Sequence, residues 1–513
     1  MKIGMISLGC PKNLVDSEVM LGLAQEAGHE LTQDPDGADV LVVNTCAFID
    51  SAKKESIETI LEMAQHKKDG SCKRLVVTGC LAERYRDELK AEIPEIDAIL
   101  GTGEVPESVA AIGGVATRQS APLTFFRPTV TYPEATIQNA PPGTLQDPPR
   151  TLRSAVSTVQ SAVSTLPASD PGTLHASVPS TLEEQARTLR ALGSPTYIYD
   201  ADTPRIFATP RHYAYVKVAE GCDYKCAFCI IPKLRGGYRS RSAESIVEEA
   251  RRLASRGVKE LLLISQDTTF YGIDRGERGA LARLLRQLND VEGLEWIRLH
   301  YLYPTTIDDA TLSAMAECDK VCKYIDLPLQ HASNSVLKRM KRPGTSQKYD
   351  ELLNRIRERV PGVSFRTTFI VGFPGETEAD VAELRDFITA HEFDHVGVFT
   401  YSHEEGTSAF GLEDDVPEKV KTARRNTVMR LQKKLVKSRQ KRRIGQRVRI
   451  VVDGPASDHE LVLRGRLSTQ APDIDASVYL TECDPSAYRA GDFVDVEVVG
   501  ARDYDLLVRP VEA

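Results

Sequence analysis

Three cysteines lie close together in the stretch EGCDYKCAFCIIPKLRGG, which covers residues 220–237. Cys222, Cys226 and Cys229 have the spacing C-x3-C-x2-C, and three thiolates so placed can bind three irons of a [4Fe–4S] cluster. The fourth iron then has no protein ligand and can bind a substrate or cofactor, which indicates chemistry rather than electron storage. A zinc or redox cysteine site is the alternative, but it would need a fourth Cys or His nearby.

Three more cysteines each follow a predicted strand in the N-terminal part of the chain. They are Cys10 after Lys2–Leu8, Cys46 after Val40–Asn44, and Cys80 after Arg74–Thr78. Helical patterns separate these strands, which predicts a parallel sheet whose carboxyl ends gather along one edge. We therefore expect the three thiols to converge and to hold a second [4Fe–4S] cluster. The alternative is three independent buried cysteines, which are common in protein cores.

The bulk composition limits the class of protein. The chain has 513 residues, which predicts about three domains, and 27% charged with 41% hydrophobic residues is typical of globular protein. The net charge of −8 gives no general case for nucleic-acid binding. No apolar run is long enough to span a membrane and no signal peptide is recognisable, so we expect a cytoplasmic protein with no membrane partner. In that compartment the remaining cysteines, Cys72, Cys318, Cys322 and Cys483, are assigned no ligand role.

The predicted fold class is α/β, with three folded domains and one insertion. Residues 1–118 form a parallel-sheet domain of the flavodoxin or Rossmann type. Residues 119–194 are rich in Pro, Ser and Thr and repeat SAVST, which predicts a disordered linker. Residues 211–440 alternate six strands with helices, which predicts a partial (β/α)6 barrel. Residues 446–513 carry five short strands, which predicts a small antiparallel β-barrel of the oligonucleotide-binding type.

In such an open barrel, catalytic and ligand-binding residues lie at the carboxyl ends of the strands. The loop with Cys222 follows the first predicted strand. Later strands are followed by candidate ligand-binding residues, namely Ser265, Gln266 and Asp267, then Gln330, then Gly372 and Phe373. A polar residue after a strand is usually a helix cap or a turn, so the hypothesis depends on the position that these residues share.

Charge is distributed unevenly near the C-terminus. The stretch Lys419–Arg443 has twelve Lys or Arg and no Asp or Glu, which indicates either phosphate contact or a solvated connecting helix. The last domain, by contrast, has 7 basic and 13 acidic residues. Such a surface favours a basic protein partner over a nucleic acid.

Several motifs in this order resemble the ribosomal-protein branch of the radical S-adenosylmethionine (SAM) methylthiotransferase family. They are SLGCPKNLVDSE, VNTCAFI, EGCDYKCAFCIIP, SQDTTFYG, LPLQHAS, RTTFIVGFPGETE, FTYSHEEGT and APDID. Members of this family have an N-terminal three-cysteine domain, a radical SAM barrel and a C-terminal TRAM barrel. The insertion of about seventy-five residues departs from the short linker that is usual there.

The resemblance implies a substrate, cofactors and partners. The substrate would be an aspartate of small-subunit ribosomal protein twelve, free or in the ribosomal subunit, and the product its β-methylthio derivative. One SAM would donate a methyl group to sulfide on the cluster of Cys10, Cys46 and Cys80. Another would bind the cluster of Cys222, Cys226 and Cys229, beside Phe228, and yield a 5′-deoxyadenosyl radical that removes a hydrogen from the aspartate β-carbon. The reductant would be a flavodoxin or ferredoxin, and Lys419–Arg443 would contact ribosomal RNA.

Two other functions remain open from the sequence. The tRNA-modifying branch of the same family methylthiolates an adenosine next to the anticodon, and the basic stretch would suit it. An iron–sulfur electron-transfer or carrier protein is the alternative of another class, and the open iron and the large barrel argue against it.

Overall fold

A computed structural model describes residues 1–113, 195–456 and 462–511 of the chain. The insertion predicted over residues 119–194, with its SAVST repeats, lies outside the described residues, as does the end of the first predicted domain. Within the described ranges, no helix is long and apolar enough to cross a membrane.

The N-terminal domain is built on a five-stranded parallel sheet in the order β2-β1-β3-β4-β5. This is the flavodoxin-like order, and it confirms the predicted parallel sheet. Its strands are β1 Lys2–Ser7, β2 Glu30–Leu31, β3 Val40–Thr45, β4 Arg74–Gly79 and β5 Ala98–Leu100. Its helices are α1 Pro11–Glu26, α2 Asp50–Asp69, α3 Cys80–Arg84, α4 Arg86–Glu92 and α5 Ser108–Ile112. The two edge strands were not predicted because two or three residues carry no periodic signal.

The central domain is the predicted partial barrel. Two three-stranded parallel sheets, in the orders β10-β9-β6 and β11-β12-β13, meet where Ile297 bridges Val321. The strands are β6 Tyr213–Lys217, β9 Glu260–Ile264, β10 Trp296–Leu299, β11 Tyr324–Asp326, β12 Ser364–Val371 and β13 His395–Thr400, with a short hairpin of β7 Ala219–Glu220 and β8 Arg239–Ser240 after the first. The helices are α6 Ile231–Arg235, α7 Ala243–Ser255, α8 Ala280–Asn289, α9 Asp309–Glu317, α10 Asn334–Arg339, α11 Ser346–Arg359 and α12 Glu378–His391.

The C-terminal domain is a closed five-stranded barrel in the order β14-β15-β16-β18-β17. Its strands are β14 Arg447–Pro455, β15 Leu463–Leu467, β16 Val478–Leu480, β17 Phe493–Arg502 and β18 Asp505–Pro510. The prediction of a wholly antiparallel barrel is wrong for one pair, because β16 and β18 run parallel. Strand directions cannot alternate around a closed ring of five, so at least one neighbouring pair must be parallel.

A long helix, α13 Glu418–Lys441, joins the central barrel to the C-terminal barrel. Two of its basic side chains are used inside the protein. Arg424 is buried between Glu376 and Glu378, at 3.0 and 2.7 Å, and Lys421 lies 2.7 Å from Asp414. The helix is therefore a structural connection, and only its exposed face retains basic side chains that could meet phosphates.

A loop of the C-terminal barrel, Ser468–Asp475, closes the amino-terminal end of the central barrel. The buried Asp475 carboxylate pairs with Arg366 at 2.9 Å and accepts a hydrogen bond from the Tyr324 hydroxyl at 2.8 Å. The carbonyl of Thr469 lies 3.0 Å from the His395 ring. Tyr324 and His395 are the first residues of their strands, so this loop, which we call the floor loop, sits opposite the carboxyl ends where the cysteines lie.

A buried ion network anchors this arrangement. Glu260, the first residue of β9, lies 2.8 Å from both Arg298 and Arg466, and Arg466 also pairs with Asp453 at 2.8 Å. All four side chains are largely removed from water. Breaking such a network costs far more than breaking a surface pair, because the remaining charges stay buried.

We expect Glu260→Ala to destabilise the protein by about 3 to 5 kcal/mol, since two buried guanidinium groups lose their shared partner. Denaturant unfolding, followed by circular dichroism, measures the change. Glu497→Ala is the matched control, because Glu497 pairs with Arg509 on the surface at 3.1 Å and should cost less than about 1 kcal/mol. Equal destabilisation by the two variants would contradict this account of the interface.

Candidate active site

The three cysteines of the N-terminal domain lie at the carboxyl ends of adjacent strands. Cys10 precedes α1 after strand β1, Cys46 follows β3, and Cys80 begins α3 directly after β4. The loops are tightly apposed, because a Cβ added to Gly9 would lie only 2.7 Å from the Cβ and 3.0 Å from the Sγ of Cys46. Gly9 also has φ 86°, a left-handed conformation that favours glycine.

These thiols are held in a place that disfavours bare thiolates. Burial raises the pKa of Cys80 to about 11, and burial together with the neighbouring Cys80 and Cys10 sulfurs raises the pKa of Cys46 well above its usual range. Three thiolates would repel one another here unless a positive centre neutralised them. Iron supplies that charge, so the donor set fits a cluster bound by three thiolates.

The other three cysteines occupy the loop between β7 and α6. The Cys222 amide donates to the Gly236 carbonyl at 3.1 Å, and the Cys229 amide donates to the Cys226 carbonyl at 3.1 Å, so the loop is folded back on itself. Gly221 makes this closure feasible, because a Cβ there would lie 2.1 Å from the Gly237 carbonyl oxygen. Burial raises the pKa of Cys222 to about 11 and that of Cys229 to about 12.

Within residues 1–113, 195–456 and 462–511, no group of three or more Cys, His, Asp or Glu side chains is placed to hold a single metal ion. An iron–sulfur cluster takes one thiolate at each of its irons.

A buried group of two acids and two bases connects the two cysteine loops. Arg235, at the end of α6, lies 3.1 Å from both Asp16 and Glu220, and Lys217 Nζ lies 2.6 Å from the same Glu220 oxygen. Arg235 also donates to Asn13 and lies 3.8 Å from the Cys80 sulfur. We call Asp16, Lys217, Glu220 and Arg235 the bridging quartet.

Two members of the bridging quartet, Glu220 and Arg235, favour their ionised forms despite their burial. Burial alone would raise the pKa of Glu220, but Arg235 and Lys217 hold it well below its usual range. Asp16 belongs to α1 of the N-terminal domain, whereas the other three members belong to the central domain. The two domains therefore share one neutralised set of charges beside both cysteine loops.

The candidate SAM-contacting residues lie at the carboxyl end of the barrel, but they differ in burial and in the hydrogen bonds that they already make. Ser265, Asp267 and Phe373 are buried and engaged within the protein. Asp267 accepts from the Tyr224 hydroxyl at 2.8 Å, from Thr306 at 3.0 Å and from the Thr269 amide at 2.9 Å, so it organises its own turn. Phe373 packs edge-on against Tyr401 with ring centres 5.0 Å apart.

The other candidate residues are more accessible. Gln266 and Gln330 are half-buried, Gln266 donates to Glu220 at 2.5 Å, and Gln330 has the left-handed φ of 74°. The Gly372 amide donates to Glu376 at 2.9 Å, and Phe228 packs beside Phe373 at the edge of a small apolar cluster. Gln266, Gln330 and Phe228 therefore leave side-chain surface that a cofactor could contact, whereas Gly372 is buried.

Two residues near Cys226 were missed by sequence reasoning. Arg342 lies 3.7 Å from the Cys226 sulfur, donates to the Pro328 carbonyl at 2.6 Å, and covers the ring of Tyr303 at 4.2 Å. The Tyr303 hydroxyl lies 3.9 Å from the same sulfur, and its ring stacks on Tyr224 at 3.8 Å. Arg342 is 116 residues from Cys226, and no local spacing could have linked them.

The chain is similar to three known domain families and to full-length proteins of one name. The family model "Uncharacterized protein family UPF0004" matches residues 2–101, "Radical SAM superfamily" matches residues 216–388, and "TRAM domain" matches residues 444–511. The ribosomal protein uS12 methylthiotransferase RimO of Koribacter versatilis is 43% identical over 99% of this chain and 96% of its own length. The proteins of the same name from Solibacter usitatus and Symbiobacterium thermophilum are 43% and 42% identical, over the whole of this chain and 96% and 91% of theirs.

Among solved structures, the radical S-adenosylmethionine methyltransferase TsrM from Kitasatospora setae aligns with 78% of this chain and 72% of its own. The TM-score is 0.47 and the sequence identity 15%.

We expect the reconstituted protein to hold about eight irons per chain, and Cys10→Ala or Cys226→Ala to hold about four, because each removes one ligand of a different four-iron cluster. Iron and acid-labile sulfide analysis under anaerobic conditions measures this. Cys483→Ala is the control, since this half-buried thiol of the C-terminal barrel belongs to neither set. Full iron content in Cys10→Ala would contradict the assignment of the N-terminal cysteines.

Proposed function

The chain belongs to the ribosomal protein uS12 methylthiotransferase family, and we propose that it attaches a methylthio group to the β-carbon of an aspartate in small-subunit ribosomal protein S12. The observation that carries this proposal is the bridging quartet, through which Arg235 of the Cys222–Cys229 region reaches the Cys80 sulfur. Two cysteine loops held against one another suit a reaction in which one activates a carbon and the other delivers sulfur.

The cofactors are iron–sulfur clusters and SAM. We propose that Cys10, Cys46 and Cys80 bind one [4Fe–4S] cluster and that Cys222, Cys226 and Cys229 bind another. When bound, these groups supply the radical that activates the substrate carbon and the methylthio group that it receives. The residues of the chain position them and exclude water.

The roles of the surrounding residues follow from their contacts. Tyr224 and Tyr303 form a stacked wall beside Cys226, and Arg342 caps that wall with a positive charge that suits an anionic cluster. Gln266 and Gln330 are the accessible polar groups at the strand ends, and we propose them as SAM contacts. We propose that the buried side chains of Ser265, Asp267 and Phe373 hold the SAM-contacting residues in position.

We propose that the C-terminal barrel and α13 help to receive the substrate. The exposed acids Glu482, Asp484 and Asp495 suit a basic ribosomal protein, although Asp453 and Asp475 are used at the domain interface. The exposed Lys434 and Lys437 would approach ribosomal RNA if the assembled subunit is the substrate.

We further propose a flavodoxin- or ferredoxin-type reductant and a cytoplasmic location, where ribosomes are found.

The test is an anaerobic reaction of the reconstituted, reduced protein with SAM and two separate substrates, ribosomal protein S12 and an anticodon-loop RNA. We expect mass spectrometry to find the methylthio group on an aspartate peptide of S12. Modification of the RNA adenosine alone would overturn the choice of substrate. Cleavage of SAM without modification of either substrate would overturn both S12 and the RNA as the substrate.

Substitutions in the two cysteine sets should affect SAM cleavage and methylthiolation differently. We expect Cys10→Ala to keep reductive SAM cleavage and to lose methylthiolation, whereas Cys226→Ala loses both, because only the latter set carries the cluster that binds SAM for cleavage. Chromatography of 5′-deoxyadenosine and mass spectrometry of S12 provide the two readouts. Normal methylthiolation by Cys10→Ala would refute the sulfur-delivery role of the N-terminal set.

A further inference from the structure

Lys12 is a buried lysine that has no carboxylate partner among the described residues. It lies on the first turn of α1, two residues after Cys10, and only 7% of it is exposed. Its ammonium nitrogen sits 3.0 Å from the centre of the Tyr301 ring, which belongs to the loop after β10 of the central domain. Among the described residues, no carboxylate forms an ion pair with Lys12 and no acceptor takes a hydrogen bond from it.

The nearby carboxylates have other partners. Asp326 accepts from the Tyr301 amide at 3.0 Å and lies 3.5 Å from His300, while Glu220 belongs to the bridging quartet. A buried ammonium is costly unless an acceptor satisfies it, and a cation–π contact supplies only part of that interaction. The ammonium hydrogens of Lys12 that do not face the Tyr301 ring therefore remain for a ligand.

The position of Lys12 lies between the two cysteine sets. Tyr301 touches Lys12, and Tyr303, two residues along the same loop, places its hydroxyl 3.9 Å from the Cys226 sulfur. A group bound at the Lys12 ammonium would thus lie near Cys10 and near the loop whose Tyr303 approaches Cys226.

The Tyr301 ring is held in place by its backbone. Tyr301 has φ 59°, which is uncommon for a bulky residue, and its carbonyl accepts from the Thr268 amide at 2.9 Å while its amide donates to Asp326. The backbone of Tyr301 is therefore fixed, and its ring lies against the Lys12 ammonium.

We propose that the Lys12 ammonium binds the side-chain carboxylate of the substrate aspartate and orients its β-carbon between the two cysteine sets. This inference rests on the proposed function, because it requires an aspartate substrate. A carboxylate satisfies the unpaired ammonium, whereas the neutral amide of asparagine does so only weakly. Lys12 would accordingly make the enzyme select aspartate over asparagine.

The experiment compares two synthetic S12 peptides that differ only in aspartate or asparagine at the target position. Their affinities for the reconstituted protein are measured by fluorescence anisotropy, and their products by mass spectrometry, for wild type, Lys12→Met and Lys12→Arg. Lys54→Met, which changes an exposed lysine of the same domain, is the matched control. Iron content is measured for every variant, and the KM for SAM is measured for those that turn over.

We expect the wild type and Lys54→Met to bind the aspartate peptide about 10- to 100-fold more tightly than the asparagine peptide, as for one charge-assisted hydrogen-bonding partner. Lys12→Met should lose this preference and Lys12→Arg should recover part of it.

Three results would overturn the inference while leaving the proposed function intact. The first is an unchanged aspartate preference in Lys12→Met. The second is a raised KM for SAM with that preference kept, which would assign Lys12 to the SAM carboxylate. The third is a loss of iron with the preference kept, which would make Lys12 a counter-charge to the N-terminal cluster. If the wild type modifies no aspartate peptide and no S12, the proposed function fails and the inference fails with it.

Discussion

The central constraint in this protein is the bridging quartet of Asp16, Lys217, Glu220 and Arg235. Two positive and two negative side chains are buried together, and the ion pairs among them offset much of the desolvation cost of each. Because Asp16 comes from the N-terminal domain, a displaced domain would leave two cations with a single acid. The relative position of the two cysteine loops is thus enforced by charge, which is more directional than apolar packing.

The same burial shapes the two cysteine sets. Burial raises the pKa of the Cys80 and Cys229 thiols, and iron would reverse this preference for the protonated form by supplying positive charge. Cluster binding therefore releases protons and fixes loops whose sulfurs would otherwise repel one another. The close backbone approach at Gly9 and Gly221 positions the two cysteine loops. The positive charge that neutralises their thiolates would come from the cofactor.

Local patterns in the sequence predicted most of the fold and the convergence of Cys10, Cys46 and Cys80. Strands β1, β3 and β4 were recognisable as apolar runs. Because the carboxyl ends of parallel strands lie along one edge of the sheet, the cysteines that follow these strands were expected to converge there. Arg342, Tyr303 and Lys12 escaped because their partners are distant in sequence, so that only the packed structure brings them together. For α13 the sequence left phosphate contact and a connecting helix both open, and only the packed structure shows that Lys421 and Arg424 turn toward acids that other elements bring to them. The parallel pair β16–β18 required knowledge of barrel closure, which no local pattern carries.

The floor loop, Ser468–Asp475, has a kinetic consequence. Because it closes the amino-terminal end of the central barrel, the small cofactor and the much larger protein substrate must approach the strand ends from the opposite side. A cofactor seated below the macromolecule would be trapped until the macromolecule departs. Turnover would then follow a compulsory order, with SAM loaded first and the modified protein released before a fresh cofactor can enter.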